Sequence, residues 1–389
     1  MQPCYFLGSA LHTSLGSTLA TQLHALQQPP TTPGTVVVNY ADKSQGLPYK
    51  LLADCAIDEA QQRLQTVLDR VINQALDAAQ LTAQDRAATG LFLGTSSFDI
   101  SVTEQEYRNE LTVNPAAVVM KTCSSQGILG HTLRRRHGLR GPDFSFNTAC
   151  TASANALIYA DAMIRSGRLQ HALVLGIELH NCLTALGFHG LQLLTSSTMK
   201  PFDRSRNGLV LGEGCAALVL GGKKSSAHRW HLKGAANICD THSVSATNPD
   251  GSVVASVIRA ALDQASIASQ DIVAIKVHGT ASMLNDEAEA AGMKQVFASV
   301  PPLTAIKPFI GHTLGACGLN ELLLFCAAAD EGFLIATPGI GNNADAQGDA
   351  KIGVSLNQRP LELLPGHFLM NYFGFGGNNT ALVVSNVME

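Results

Sequence analysis

The sequence predicts an α/β fold with a mainly parallel sheet, on the basis of three observations. Short apolar stretches that read as buried strands alternate with amphipathic or alanine-rich stretches of helical length. The same strand–helix order occurs in both halves of the chain, which indicates a duplication. The composition gives the third observation, because 46% of the residues are hydrophobic but only 5% are aromatic. Such a chain fills its core with small aliphatic side chains and glycine.

In the first half, an amphipathic helix is predicted at 57–79, because apolar residues recur there at helical spacing. Buried strands are predicted at 90–94, 143–146 and 171–178. The stretch 151–167 lies between the last two strands, is rich in alanine and ends in glycine, as expected for a helix.

The second half has the same pattern. Helices are predicted at 253–265, 286–297 and 314–329, and strands at 272–279, 303–306 and 381–385. The stretch 221–250 has no regular pattern, so we expect it to divide an N-terminal half, 1–220, from a C-terminal half, 221–389.

The composition excludes several classes of protein. The 26 basic and 30 acidic residues give a net charge of −4, which argues against a general nucleic-acid-binding protein. No run of about 18 uncharged apolar residues predicts a membrane span, and the N-terminus lacks the features of a signal peptide. The nine cysteines are odd in number and form no CxxC pair, so we expect neither disulfides nor zinc but a reduced, cytoplasmic protein.

Cys150 lies between a predicted strand and the first turn of a predicted helix. The helix dipole and free backbone N–H groups favour a thiolate there, so the residue is a candidate nucleophile. Taken alone, Cys150 fits a small buried side chain better than a nucleophile.

Two histidines are candidate partners of this thiol. His278 follows a buried strand, and His312 precedes a glycine-rich helix and lies five residues after Lys307. An isolated histidine is usually structural, but the three strand-to-helix junctions that carry Cys150, His278 and His312 should gather at one edge of the sheet.

The segment 371–379, NYFGFGGNN, is a further candidate, because its glycines indicate positive φ angles or close approach to a ligand. A simple turn before the last strand explains the segment about as well.

Four motifs occur together in this order: TAC at 148–150, HGT at 278–280, KPFIGH at 307–312 and FGFGG at 373–377. Together they resemble the β-ketoacyl-acyl-carrier-protein synthases of the Cys-His-His class, within the thiolase-like superfamily. The resemblance covers roughly residues 85–389, and the ordered set is specific although each motif alone is weak.

The resemblance implies a duplicated, five-layered α-β-α-β-α fold whose N-terminal half carries the nucleophile and whose C-terminal half carries both histidines. It also implies an acyltransferase that catalyses decarboxylative Claisen condensation of malonyl-acyl-carrier protein with a cysteine-bound acyl chain. The reaction belongs to fatty acid, polyene or polyketide chain elongation and uses no metal or organic cofactor.

The resemblance also assigns roles to single residues. Cys150 matches the nucleophile that takes the acyl chain, and His278 and His312 match the pair that holds the malonyl thioester carbonyl through N–H donors. The backbone N–H groups of Cys150 and Phe375 match the oxyanion hole, and Phe375 also corresponds to a gating phenylalanine.

Two charged residues complete the implied site. Lys307 matches the lysine that organises the second histidine, and Glu289 resembles the acid of the same network. The sequence departs from the family pattern at Pro308 and at Asn378-Asn379. These departures indicate a specialised type II synthase, such as those of aryl polyene biosynthesis.

Three other classes of protein are weighed against an active synthase. A chain-length-factor-like partner subunit of a ketosynthase heterodimer usually lacks the nucleophile, which this chain keeps. A thiolase needs a second cysteine near the C-terminus, and Cys317 and Cys326 lie too early. A His-Asn initiation synthase is disfavoured because the second position is His312.

The resemblance implies an acyl carrier protein as partner, and either a homodimer or a heterodimer with a ketosynthase-like or chain-length-factor subunit. Because the carrier protein is acidic in this family, a local basic patch is expected on the surface. Two groups of residues are candidates: Arg134, Arg135, Arg136 and Arg140, or Lys200, Arg204 and Arg206.

Overall fold

The computed structural model describes residues 4–40, 43–117, 126–222, 229–337 and 352–387. The strands are β1 Tyr5–Thr13, β2 Gly34–Tyr40, β3 Lys43–Lys50, β4 Gly90–Gly94, β5 Asp143–Phe146, β6 His171–Glu178, β7 Leu211–Gly212, β8 Gly214–Gly221, β9 His231–Cys239, β10 Ile272–Lys276, β11 Leu303–Thr304, β12 Phe333–Leu334, β13 Leu361–Glu362, β14 His367–Gly374 and β15 Asn378–Ser385. The helices are α1 Leu19–Leu26, α2 Ala60–Ala78, α3 Ala83–Ala88, α4 Ile100–Val113, α5 Gln126–Arg136, α6 Ala152–Arg165, α7 Cys182–Gly190, α8 Ser252–Ala265, α9 Met283–Val296, α10 Lys307–Ile310 and α11 Cys317–Asp330.

Ten strands form one hydrogen-bonded series, in the order β11-β10-β14-β15-β9-β1-β8-β6-β4-β5. Five of them precede residue 222 and five follow residue 230. Counted from the centre of the series outwards, the strands of each set follow one order: the first strand of the set in the chain, then its fifth, fourth, second and third. Both sets therefore have the same spatial order, which supports a duplicated fold.

Strand directions repeat in the same way. β4 runs parallel to β5 and β6, and β10 runs parallel to β11 and β14. The last two strands of each set, β6–β8 and β14–β15, are antiparallel, as are β8–β1 and β15–β9. Four of the five strands in each set therefore run in one direction, as the expectation of a mainly parallel sheet requires, and β8 and β15 run against them. The sheets are mixed because the final strand of each set reverses direction beside the strand before it.

In the described residues, the two sets of strands meet through the bridge between Tyr5 and His231 and a 2.9 Å hydrogen bond from the Phe6 N–H to the Trp230 carbonyl. The division of the chain at residue 220 stays a prediction.

The helices complete a five-layered α-β-α-β-α fold. α2 packs on β1 and β8 on one outer face, and α8 packs on β9 and β15 on the other. The middle layer contains α6 and α11, which pack against each other. Residues 317–329 of α11 are all buried, and only its last residue, Asp330, is exposed. A helix enclosed on every side explains part of the low charge and high alanine content.

The strands and helices predicted from apolar periodicity are all present, with ends displaced by a few residues. The expectation that 221–250 is irregular was wrong, because β9 lies at 231–239; residues 223–228 lie outside the described part. β9 was missed because its glycine and alanines give little hydropathy signal. β14 was also missed, and it extends to residue 374, so the glycine-rich turn begins only at Phe375. No helix in the described part of the chain combines the length and apolarity needed to cross a bilayer.

Candidate active site

Cys150 lies in a single 3₁₀ turn, Ala149–Thr151, between β5 and α6. Ala149 has a φ of 50°, a left-handed conformation that costs an L-residue roughly 1–2 kcal/mol. The Thr151 hydroxyl donates to the Thr148 carbonyl over 2.7 Å and holds the turn closed. This turn places the buried thiol against residues of the C-terminal strands.

His312 lies directly beside this thiol, in the loop after α10. Its Nε2 atom is 3.1 Å from the Cys150 Sγ. The backbone N–H of Leu314 donates to its Nδ1 over 3.2 Å, so Nδ1 is an acceptor and the ring proton is on Nε2. His312 therefore presents an N–H donor to the sulphur.

His278 lies across from His312, with ring centroids 5.5 Å apart and planes at 86°. Lys307 Nζ is 3.3 Å from the His278 Nδ1 and 2.6 Å from the His278 carbonyl oxygen. An ammonium group can only donate, so His278 also carries its proton on Nε2. The two neutral rings thus both offer Nε2–H groups.

Electrostatics keep both rings neutral. Burial, followed by the positive charge of Lys307, lowers the pKa of both His278 and His312 well below its usual range. Both histidines are therefore hydrogen-bond donors at neutral pH without being cations.

Lys307 and Glu289 lie in the site, but with partners other than those expected. Lys307 contacts His278, and not His312 as the family resemblance implied. Its acidic partner is Glu321, whose Oε1 lies 2.7 Å away. Glu289 accepts hydrogen bonds from the backbone N–H groups of His278 and Gly279, at 2.8 and 3.0 Å. Glu289 therefore fixes the loop that carries the histidine, whereas Glu321 neutralises the lysine.

Three further buried residues of the site were not expected from the sequence: Lys276, Glu321 and Asn371. Lys276 pairs with Glu321 at 2.7 Å, and Asn371 Nδ2 donates to Glu289 over 3.1 Å. A signal was present, because Lys276 interrupts an apolar strand and Glu321 an apolar helix. Charges in such places need buried partners.

Burial, the largest effect, raises the pKa of the Cys150 thiol to about 12, although Lys307 acts in the opposite direction. The expectation of a lowered pKa was wrong. It counted the helix N-terminus but not the loss of hydration, which here dominates. The backbone N–H of Phe375, like Lys307, acts to lower the pKa of this thiol, but burial outweighs both.

The glycine-rich segment approaches Cys150 closely, and Gly376 and Gly377 have the positive φ angles that its composition predicted. A Cβ on Gly374 would lie 3.0 Å from the Cys150 backbone nitrogen, and Gly377 has a φ of 76° with a would-be Cβ 1.9 Å from the Asp240 carbonyl oxygen. The ring of Phe375 stacks on Phe188 of α7, with centroids 5.7 Å apart and planes at 20°.

A cavity of about 240 Å³ joins these groups. It is largely apolar and contains the thiol and both imidazoles. Its lining residues include Cys150, Phe188, His278, His312, Phe373 and Phe375. An apolar chamber with a thiol and two convergent N–H donors suits a chain-like acyl group and a carbonyl compound.

The candidate basic patches differ in how they are paired. In the first, Arg134 pairs with Asp143 at 2.7 Å and Arg136 pairs with Asp69. In the second, Arg206 is buried and pairs with Glu287 at 2.8 Å, whereas Arg204 is exposed.

The duplicated layers and the Cys-His-His arrangement define a condensing-type member of the thiolase-like superfamily. Residues 55–226 match the family model for the β-ketoacyl synthase N-terminal domain, and residues 231–340 match the model for the C-terminal domain. The chain belongs to the β-ketoacyl synthase family.

Two curated relatives illustrate this membership. The chain is 28% identical to the chloroplastic 3-oxoacyl-[acyl-carrier-protein] synthase I of Arabidopsis thaliana, over 80% of this chain and 68% of the relative. It is 30% identical to the tetracenomycin polyketide synthase ketoacyl synthase alpha subunit of Streptomyces glaucescens, over 65% of this chain and 62% of the relative. The matched regions thus span about two thirds of these relatives.

A solved structure has the same fold. It is a ketosynthase in complex with its chain length factor from Xenorhabdus doucetiae, with a TM-score of 0.84 and 23% identity, covering 99% of this chain and 98% of the other.

Proposed function

We propose that this chain is an active β-ketoacyl-acyl-carrier-protein synthase that catalyses decarboxylative Claisen condensation. The observation that carries the proposal is the 3.1 Å separation between Cys150 Sγ and His312 Nε2, with the His278 ring beside them in the same cavity. A nucleophile and two neutral N–H donors are the groups that this reaction needs.

In the first half-reaction, the Cys150 sulphur attacks the thioester carbonyl of an acyl chain. The Cys150–acyl bond forms, the bond to the carrier thiol breaks, and the departing thiolate takes the proton that Cys150 loses. Nε2–H of His312 and the N–H of Phe375 stabilise the transient thiolate, which burial otherwise opposes.

In the second half-reaction, the malonyl thioester carbonyl accepts hydrogen bonds from the Nε2–H groups of His278 and His312. The bond to the carboxylate breaks, carbon dioxide leaves, and the electron pair forms an enolate that these donors stabilise. The enolate carbon attacks the acyl carbonyl on Cys150. The N–H groups of Cys150 and Phe375 hold the oxyanion until the carbon–sulphur bond breaks, and the released Cys150 thiolate takes a proton from water.

The substrates would be delivered by an acyl carrier protein. We place its docking surface at Lys200 and Arg204, because Arg206 of the same segment donates to the carbonyl of Met283 over 3.3 Å and Met283 lines the cavity. The arginines of α5 are less suitable, since Arg134 and Arg136 are already paired with carboxylates.

A partner subunit is part of this proposal, as either a second copy or a chain-length-factor-like paralogue. The similar solved structure is itself a ketosynthase with its chain length factor. The second candidate function is that this chain is such a factor, and the same fold supports that. The complete set of Cys150, His278 and His312 favours the active enzyme.

Intact-protein mass spectrometry after incubation with acyl-carrier protein tests the proposal. The wild-type chain should gain the mass of the acyl group and Cys150→Ala should not, with Cys239→Ala as the matched control that still loads. Loading of the Cys150→Ala protein would disprove the assigned nucleophile. An unloaded wild-type chain that supports loading of a partner subunit would favour the chain-length-factor function.

A further inference from the structure

Lys276 lies at the end of β10 and is completely buried. Its Nζ donates to Glu321 Oε2 and to the Asn371 carbonyl oxygen, both over 2.7 Å, and lies 3.5 Å from the centroid of the Tyr372 ring. A buried ammonium is costly unless it is paired and hydrogen-bonded. Lys276 meets both conditions, yet it takes no part in the two half-reactions proposed for Cys150, His278 and His312.

Lys276 shares its carboxylate with the lysine that holds His278. Glu321 Oε2 is 2.7 Å from Lys276 Nζ, and Glu321 Oε1 is 2.7 Å from Lys307 Nζ. All three side chains are fully buried. One carboxylate therefore lies between two ammonium groups and neutralises only one of their two charges.

We propose that Lys276 is a positioning residue for His278, which acts by occupying one oxygen of Glu321. With Oε2 held, the carboxylate keeps Oε1 towards Lys307, and Lys307 keeps its contact with His278 Nδ1 at 3.3 Å. Without Lys276, the whole charge of Glu321 acts on Lys307 and draws it from the imidazole. This inference rests on the proposed function and adds a residue to it.

Lys276 also keeps a second positive charge near the carbonyl-binding histidines, where the enolate forms. The titratable groups that act on Lys276 or face its cluster are Glu321 and Cys317 from α11, Lys307 from α10, Glu289 from α9, His278 after β10, His312 after α10 and Tyr372 from β14. Burial lowers the pKa of Lys276 to about 8, although Glu321 opposes this shift. Lys276 is therefore charged below about pH 8 and loses its charge above it.

The test compares Lys276→Met with two other variants. Lys276→Arg keeps a charge that does not titrate in this range. Lys50→Met is the matched control, because Lys50 is also buried and has a pKa lowered to about 8 by burial, and among the residues described its ammonium group donates only to Thr31. Carbon dioxide release from malonyl-acyl-carrier protein and acyl loading of Cys150 are both measured from pH 6 to 9.5.

We expect Lys276→Met to decarboxylate roughly 10- to 100-fold more slowly, the scale of effect that misplacing a reacting group has, while acyl loading stays within about twofold of wild type. We expect the wild-type decarboxylation rate to fall above about pH 8. This fall should be absent from both Lys276 variants, with Lys276→Arg recovering part of the rate and Lys50→Met behaving as wild type. Retained acyl loading shows that a variant is folded.

Wild-type decarboxylation and an unchanged pH profile in Lys276→Met would overturn the inference and leave the proposed function standing. A parallel loss of loading and decarboxylation would also overturn it, because Lys276 would then serve the stability of the fold. If the wild-type chain does not decarboxylate at all, the proposed function fails instead. In that case the ¹⁵N resonance of His278 Nδ1 tests the positioning role of Lys276. This resonance must shift in Lys276→Met and stay unchanged in Lys50→Met.

Discussion

The Nε2 atom of His312 lies 3.1 Å from the Sγ atom of Cys150, although 162 positions separate the two residues in the sequence. Cys150 follows a strand of the first five-strand set, and His312 follows a strand of the second. The reacting groups therefore meet only when the two sets are packed together. We expect the predictions below to depend on this packing as much as on the residues themselves.

The first prediction concerns the pH dependence of Cys150. Because burial raises the pKa of its thiol to about 12, the thiolate fraction keeps increasing with pH throughout the range in which the protein is stable. Alkylation by iodoacetamide, followed by peptide mass spectrometry, should rise about tenfold per pH unit up to at least pH 10. The exposed thiol of Cys239 is the internal reference. A plateau for Cys150 near pH 7 would show that the thiolate is instead stabilised in the resting enzyme.

The second prediction separates the two half-reactions. His278→Ala and His312→Ala each remove one donor to the malonyl carbonyl, so decarboxylation should fall about 10²–10³-fold. Both variants should retain part of their acyl loading, because neither imidazole forms the acyl bond. Carbon dioxide release and intact mass measure the two steps on the same sample. Unchanged carbon dioxide release would remove the role assigned to the histidines.

The sequence predicts the residues that follow strands, but not the contacts that long side chains make with other loops. Cys150, His278 and His312 were expected to meet because each follows a strand, and strand ends collect at one edge of a sheet. The pairing of Lys307 with His278 could not be obtained in this way. Sequence spacing brings Lys307 close to His312, but the side chain extends to the neighbouring loop.

Other features depend on the surroundings in three dimensions. The raised pKa of Cys150 results from burial by elements distant in sequence, which a local motif does not record. Similarly, nothing in the spacing of Lys276 and Glu321 predicts their 2.7 Å contact, because one lies on a strand and the other on a helix of another layer. The apolar helices and central strands were predictable, since burial on all sides leaves a clear pattern.

The third prediction is about stability. Glu213 is completely buried, and its carboxylate accepts hydrogen bonds from both terminal nitrogens of Arg63 over 2.6 Å and from the Leu52 and His180 backbone N–H groups over 2.8 Å. Arg63→Met leaves that charge without its cation, so the free energy of unfolding should fall by about 3–5 kcal/mol at pH 7. Arg86→Met breaks an exposed pair with Asp77 and should cost less than about 1 kcal/mol.

The effect of Arg63 should also depend on pH. Burial alone would raise the pKa of Glu213, but Arg63 and the backbone donors lower it below its usual range. A lowered pKa adds stability above the unfolded value, and this stability is lost as the pH falls through the folded value. Urea unfolding should show that Arg63→Met loses less free energy of unfolding at pH 5 than at pH 7. At pH 5 the Glu213 carboxyl, which has lost its cation, can be protonated. An equal deficit at both pH values would indicate that lost packing, not charge, causes the change.

The last prediction concerns an aromatic pair in the lining of the cavity. Phe188 and Phe375 both line the cavity, and their rings are stacked 5.7 Å apart. A stacked pair contributes about 0.5–1.5 kcal/mol beyond the area it buries. Phe188→Ala should therefore raise the equilibrium constant between an open position of the Phe375 ring and the stacked one by about 2- to 10-fold. The rate at which N-phenylmaleimide, a bulky reagent, modifies Cys150 should rise by this factor, whereas the rate with the smaller iodoacetamide should change less. Phe144→Ala is the matched control, because Phe144 stacks on Phe92 with centroids 5.4 Å apart and does not line the cavity. If both reagents respond equally to Phe188→Ala, the substitution has enlarged the chamber as a whole, and Phe188 does not hold Phe375 in place.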